Sequence, residues 1–180
     1  MKNYLSILLL VMLSNIAHSD EYFDLQMKYA KRGDVGAQYN LGVMYDNGRG
    51  DPENNKIAIM WYTKAAEQGF VDAQYNLGLM YYQGEGIPKN DKTAVMWYTK
   101  AAEQGHASAQ GNLGFMYYNG EGVPENDIKA HVWFSMSKTN GNETSKENLK
   151  ILTTQMTKDQ VAKAQQLASK CYESNYKDCD

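Results

Sequence analysis

Few side chains in this sequence could do chemistry, and they stand far apart. Beyond the first twenty residues there are two histidines, His106 and His131, and two cysteines, Cys171 and Cys179. A zinc site needs Cys, His or carboxylate ligands at short, paired spacings, and neither the histidines nor the Cys pair, which is not a CxxC, supplies them. Acyl or phosphoryl chemistry needs a nucleophile, a base and a group that orients the base, and no such set can be assembled from the motifs present. The loop Gly84-Glu85-Gly86-Ile87-Pro88 invites comparison with a phosphate cradle. A Walker loop, however, continues into Lys-Ser/Thr after a strand, and a dinucleotide loop also follows a strand. Here a helical pattern comes first, so the loop reads as a connector. Glu67 and Glu103 recur in register, as solvated charge on a helix face does. No catalytic residue, metal site or cofactor is expected.

The bulk properties exclude a further class. The chain has 180 residues with 18 Lys and Arg against 21 Asp and Glu, a formal net charge of −3. Its basic residues are scattered singly among acids, which gives a nucleic-acid backbone nothing to meet. At the start, Lys2 precedes an apolar run from Leu5 to Leu13, and Ala17 and Ser19 occupy the −3 and −1 places of a cleavage site. That is the layout of a signal peptide over residues 1–19, and the run is too short to span a bilayer. The expected product is periplasmic or secreted, with no membrane span after cleavage. In that oxidising setting Cys171 and Cys179 are expected to pair. On one continuous helix they would lie about 12 Å apart, too far for a disulfide, so the chain must turn back after Cys171.

The elements that could position a site come from a repeat. Gln38-Tyr39-Asn40-Leu41-Gly42 returns 36 residues later as Gln74-Tyr75-Asn76-Leu77-Gly78, then as Gln110-Gly111-Asn112-Leu113-Gly114. Trp61, Trp97 and Trp133 keep the same step, and 24 of 36 positions agree between residues 38–73 and 74–109. A period of this size marks a solenoid of stacked units. Each unit reads as two antiparallel helices. Ala73, Leu77 and Tyr81 form the apolar stripe of a first helix, and Ala94, Trp97, Tyr98 and Ala101 that of a second. Asp72 and Ser108 are expected to cap first helices, and Asn55, Asp91 and Asp127 second helices. Gly69, Gly105 and Gly141 end second helices. Gly42, Gly78 and Gly114 fall inside helices, where Gly costs about 1 kcal/mol against Ala; such recurrence points to close helix approach. Gly86, in a connector, is expected to tolerate Ala far better than Gly78 tolerates Leu. Thr144-Ser145-Lys146-Glu147 and Thr157-Lys158-Asp159-Gln160 both fit capping boxes. The second opens a last helix over about 158–172, with Val161, Ala164, Gln165 and Ala168 on one side.

The run from Gln74 through Gly84-x-Gly86-Ile87-Pro88, Ala94, Trp97-Tyr98 and Lys100-Ala101-Ala102 to Gly105 resembles the Sel-one-like repeat (SLR), a branch of the tetratricopeptide superfamily. The resemblance covers about residues 22–149. It implies an all-α, right-handed α/α superhelix and an adaptor or scaffold role, often at the bacterial cell envelope. A cysteine-rich branch of that family, with a disulfide in each repeat, is linked to β-lactam binding and hydrolysis; this chain lacks those cysteines. The expected organisation is a signal peptide (1–19) and then repeats over 20–149, comprising a half-repeat (22–37), repeats 38–73, 74–109 and 110–141, and a diverged half-repeat (142–156). A capping helix and Cys-containing tail (157–180) follow.

Three functions are then open: an envelope adaptor that binds a protein or peptide, a β-lactamase-like hydrolase, and a structural subunit of an envelope assembly. For the first, the partner is expected on the concave face formed by the first helices. The candidate residues there are Asn40, Val43, Asp46, Asn76, Leu79, Tyr82, Asn112, Phe115 and Tyr118. Asn amides can hold a peptide backbone and aromatics give contact area at little entropic cost. The recurring Asn side chains could equally brace neighbouring helices. Positions that vary between repeats are the better candidates for specificity.

Overall fold

The computed structural model describes residues 21–47 and 52–179; the expected signal peptide lies outside them. All regular structure among the described residues is helical. Residues 21–31 form α1, followed by α2 (Val35–Asp46), α3 (Pro52–Glu67), α4 (Val71–Gln83), α5 (Asp91–Ala102), α6 (Ala107–Asn119), α7 (Asp127–Thr139), α8 (Glu143–Gln155) and α9 (Lys158–Glu173). From α2 to α8 each helix packs on its neighbours in sequence, which makes an all-α solenoid. The core is a chain of clusters, each joining adjacent units. No unit buries its apolar face alone.

The glycines inside the first helices are there for aromatic rings. A Cβ on Gly78 would stand 2.7 Å from Cδ1 of Tyr98, and one on Gly114 2.8 Å from Cδ1 of Phe134; Gly42 meets Tyr62 in the same way. Within each pair, then, the ring of the second helix lies on bare backbone of the first. Ala65, Ala66, Ala101 and Ala102 are fully buried and let the next helix come close. Gly86 departs from expectation. It has φ +69°, and a Cβ would stand 2.5 Å from Cβ of Asn55 in the preceding unit. Gly122 meets the backbone of Asp91 similarly. The connectors are therefore packed against the start of the previous second helix, and Gly86→Ala is not a mild change.

Several caps sit one or two positions from where they were expected. Asn90 and Asn126, not Asp91 and Asp127, accept from the third residues of α5 and α7, while Asn55 lies inside α3. Asp72 and Ser108 fall in the first turns of α4 and α6, whose cap residues are Phe70 and His106. Asn142 rather than Thr144 caps α8. The reason is common to all: cap geometry requires an extended residue before the first turn, and each of these helices starts earlier than its polar cluster implied. Thr157 does form the expected box with Gln160.

The last helix breaks the alternation. First and second helices elsewhere are joined by long connectors such as 84–90 and 120–126, whereas only Met156 and Thr157 separate α8 from α9. With that short link, α9 lies along α7. Ala164 clusters with Ala130 and Phe134, then Ala168 and Cys171 with Trp133 and Met136. Gln165 is exposed, unlike Ala164 and Ala168. After Glu173 the chain reverses through Asn175 and Tyr176, both at positive φ (55° and 67°), and Cys179 closes a disulfide with Cys171. The Tyr176 ring lies against Gly105 and its hydroxyl donates to Oδ1 of Asn140 at 3.1 Å. The tail thereby fastens two inter-repeat turns.

Candidate interaction groove on the first helices

Two systems of polar contacts run along the solenoid. The first sits at the turns between units. Nε2 of Gln74 donates to the Ala66 carbonyl (3.1 Å), and Nε2 of Gln104 donates to Oε1 of Gln74 (2.8 Å). Gln38 with Ala30 and Gln68 does the same one unit earlier. Gln110 with Ala102 and Asn140 does so one unit later. These buried glutamines add a second hydrogen bond to helix-end carbonyls that already accept from the turn glycines Gly33, Gly69 and Gly105, and so tie each turn to the next first helix. They were visible as repeat marks, but sequence alone did not say what they held.

The second system lies on the first-helix face, where the candidate binding residues are. Asn40 donates to Oε1 of Gln26 at 3.0 Å. Val43 packs against the core of the first unit. Asp46 accepts from the Tyr62 hydroxyl at 3.2 Å, and the Asn76 amide lies beside the Tyr39 and Tyr62 hydroxyls. These four residues are engaged with the protein itself. The other five line three adjoining depressions between α4, α6 and α8. Leu79, Tyr82, Asn112 and Phe115 surround the first, of about 120 Å³, with Gln83, Tyr98 and Met116. Phe115 and Tyr118 border the second, of about 100 Å³, with Phe134, Asn148 and Ile151. Tyr82, Asn112 and Phe115 reach a third, of about 350 Å³, edged by Asn142, Thr144, Ser145 and Asn148. Shared walls at Tyr82, Phe115 and Asn148 make these one groove.

Asn148 and Ile151 were not among the candidates. The signal was present, since they stand 36 residues after Asn112 and Phe115, but it lay in the diverged unit where the pattern fades.

The phenols that lie on the first-helix glycines, Tyr62 and Tyr98, are held in their neutral form. Burial, with Asp46 adding to it, pushes the Tyr62 hydroxyl far above the ordinary phenol value; burial does the same at Tyr98. The histidines are committed elsewhere. His106 accepts the Ala109 N–H at Nδ1 (3.1 Å) as the cap of α6 and stacks on Tyr75 at 4.5 Å. His131 is buried in α7, with Ser135 Oγ 3.4 Å from its Nδ1. Burial lowers both below the usual histidine value. Among the described residues no group of three or more His, Cys, Asp or Glu could hold a metal ion, and no helix is long and apolar enough to cross a membrane.

Comparison with known proteins agrees with this geometry. The Sel1 repeat model matches three consecutive segments, residues 35–70, 71–106 and 107–142, which is more than half of the chain. The chain is similar to the crystal structure of c5321, a protective antigen present in uropathogenic Escherichia coli strains and displaying an SLR fold. The TM-score is 0.80 at 38% identity, over 87% of this chain and 33% of that one. It therefore spans about a third of that protein's length. A Sel1 repeat protein from Oxalobacter formigenes superposes with a TM-score of 0.66 at 35% identity, over 81% of this chain and 67% of that one. No curated protein matches the sequence. With its period of 36, its glycine-on-ring pairs and these matches, the chain belongs to the Sel1 repeat family.

Proposed function

We propose that this chain is an exported, non-catalytic adaptor that holds a protein or peptide partner in the groove of its first helices. The observation that carries the reading is a contrast between positions. The residues that build the stack repeat from unit to unit, whereas these groove positions change: Leu79 and Phe115 stand where the first unit has Val43, and Tyr82 and Tyr118 where it has Asp46. A position that serves only the architecture has no reason to vary. Exposed aromatic surface flanked by amides is what a binding groove offers an extended or helical segment. Residues committed to caps and core, His106 and His131 included, leave the groove without a nucleophile and base pair, which favours the adaptor over the hydrolase.

Export is supported by the layout of residues 1–19 and by a disulfide suited to an oxidising compartment. It also fits the similarity to a protective antigen of uropathogenic strains. A photo-crosslinking residue placed at Phe115 (39% exposed) or at Met96 on a second helix (45% exposed) separates the two faces in the native envelope. The adaptor reading expects one discrete crosslinked partner from Phe115 and none from Met96. The reverse pattern moves the site to the opposite face, and cytoplasmic protein retaining Met1 contradicts export.

A further inference from the structure

The ring that lies on the first-helix glycine differs in its surroundings from unit to unit. In the first unit the Tyr62 hydroxyl has the Asn76 amide beside it and donates to Asp46 at 3.2 Å. In the second, 36 residues on, Tyr98 is 1% exposed and the Asn112 amide lies beside it. The residue in the place of Asp46, however, is Tyr82, which offers no carboxylate. The Tyr98 hydroxyl is covered and has no hydrogen-bond acceptor in the protein, and the Tyr98 side chain is one wall of the depression bounded by Leu79, Tyr82, Asn112 and Phe115. In the third unit the ring is Phe134 and no hydroxyl remains. A buried donor without an acceptor is costly and rarely kept without a use.

We propose that this depression is the anchor pocket of the groove, and that it takes a glutamine or asparagine side chain whose amide oxygen accepts from Tyr98 as Asp46 accepts from Tyr62. The assignment rests on the adaptor reading and narrows it to a class of peptide. Three features select the carboxamide. The opening, about 120 Å³, suits one side chain and is below the size of ordinary small-molecule sites. Tyr98 is buried and its hydroxyl covered, so a side chain must reach in and part the lining to meet it, while a backbone carbonyl would stay at the rim. The Glu121 carboxylate stands against the Tyr82 hydroxyl, while the Lys89 ammonium pairs with Asp91 at 3.3 Å and lies 5.0 Å from the Tyr82 ring, so these three groups keep a net negative charge that opposes an aspartate or glutamate. Leu79 and Phe115 then flank the anchor with apolar surface for the neighbouring residue of the peptide.

Random linear peptides displayed on phage, selected on the purified chain, test the assignment. The expected result is Gln or Asn enriched at one fixed place beside an apolar residue. A synthetic peptide of that sequence should lose about tenfold in affinity on Tyr98→Phe, about 1.4 kcal/mol. Changing its Gln to Met should cost little more in that variant, because the two losses share one hydrogen bond. The fold already carries Phe at the matching place, Phe134, so Tyr98→Phe should melt like the parent while Tyr62→Phe melts lower. Equal affinity for Tyr98→Phe, enrichment of Asp or Glu, or no enrichment overturns the anchor. So does a fall in melting temperature for Tyr98→Phe as large as that for Tyr62→Phe. Loss of peptide binding on Phe115→Ala with no effect of Tyr98→Phe would sink the anchor and leave the groove standing; no effect of either sinks both.

Discussion

At the turns between units, Gln68 reaches Gln38 and Gln104 reaches Gln74, at 2.7 and 2.8 Å. On the first-helix face of the same units, Tyr62 is closed by Asp46, Tyr98 forms one wall of a depression, and Phe134 has no hydroxyl at all. One side of each repeat is thus copied bond for bond, while the other is revised. The copied side adds bonds to carbonyls at helix ends, and any change there removes a buried hydrogen bond between adjacent units. The revised side borders the groove, whose half-buried and exposed positions Leu79, Tyr82, Phe115 and Tyr118 can change what binds at little cost to the stack.

That contrast orders the expected effects. Gly78→Leu should be the most damaging, because its Cβ alone would stand 2.7 Å from the Tyr98 ring and the helices of the pair must part. A loss of roughly 3 kcal/mol or more is expected, read from chemical denaturation. Gly69→Ala, with φ +88° but open space around the Cβ, should lose only about 1 kcal/mol for its backbone conformation. Equal losses would remove the ring contact as the reason for the helical glycines.

Gln74→Ala comes next. It removes one bond from the Ala66 carbonyl and one from the Gln104 amide, which keep the Gly69 N–H and the Lys100 carbonyl, a cost of about 1 kcal/mol. A variant as stable as the parent would show that the glutamine clasps are incidental to the stack.

The smallest effect is one of pH. The cap of α6 needs an unprotonated Nδ1 on His106, and burial holds that ring below the ordinary histidine value, against the opposing pull of Asp72. When the folded value lies below the unfolded one, the unfolded chain takes the proton more readily. The contribution is therefore present above about pH 6.5 and is lost as pH falls toward the folded value. His131 shifts in the same direction. His106→Asn, which mimics the cap at Asn142, should keep the helix start and make the acid-side fall in stability shallower. An unchanged slope would assign the whole effect to His131 and other groups.

Most of the stack could be read from the sequence because its causes are local and recur. Helical glycines in register, paired alanines and the Thr157 box each state a geometric demand that residue type alone reveals. The disulfide followed from spacing and setting, and the required reversal after Cys171 is met at Asn175 and Tyr176. What the sequence hid depends on contacts between units. Gly86 looked like a free connector, yet it abuts Asn55 of the unit before. The glutamine clasps join residues 30 apart, which no helical period links. Caps were misplaced by a residue or two because Asn90-Asp91 and Asn126-Asp127 each offer two suitable side chains in succession. On the groove, the unit-to-unit differences were legible, but which side chains still lacked a partner was not. Tyr62 and Tyr98 are the same residue in the same register, and only their surroundings tell them apart.

The central claim is that the revised face, and not the copied architecture or the second helices, holds the partner. It is tested most directly by measuring the affinity of the crosslinked partner, once isolated, for Tyr82→Ala with Phe115→Ala and for Lys64→Ala with Lys100→Ala. The lysines lie over Trp61 and Trp97 on the second helices, at 4.4 and 4.3 Å from the ring centroids. With native helical content in both variants, the groove pair should bind about tenfold or more weakly and the lysine pair should bind as the parent does. Unchanged affinity for the groove pair, with loss for the lysine pair, would contradict the account.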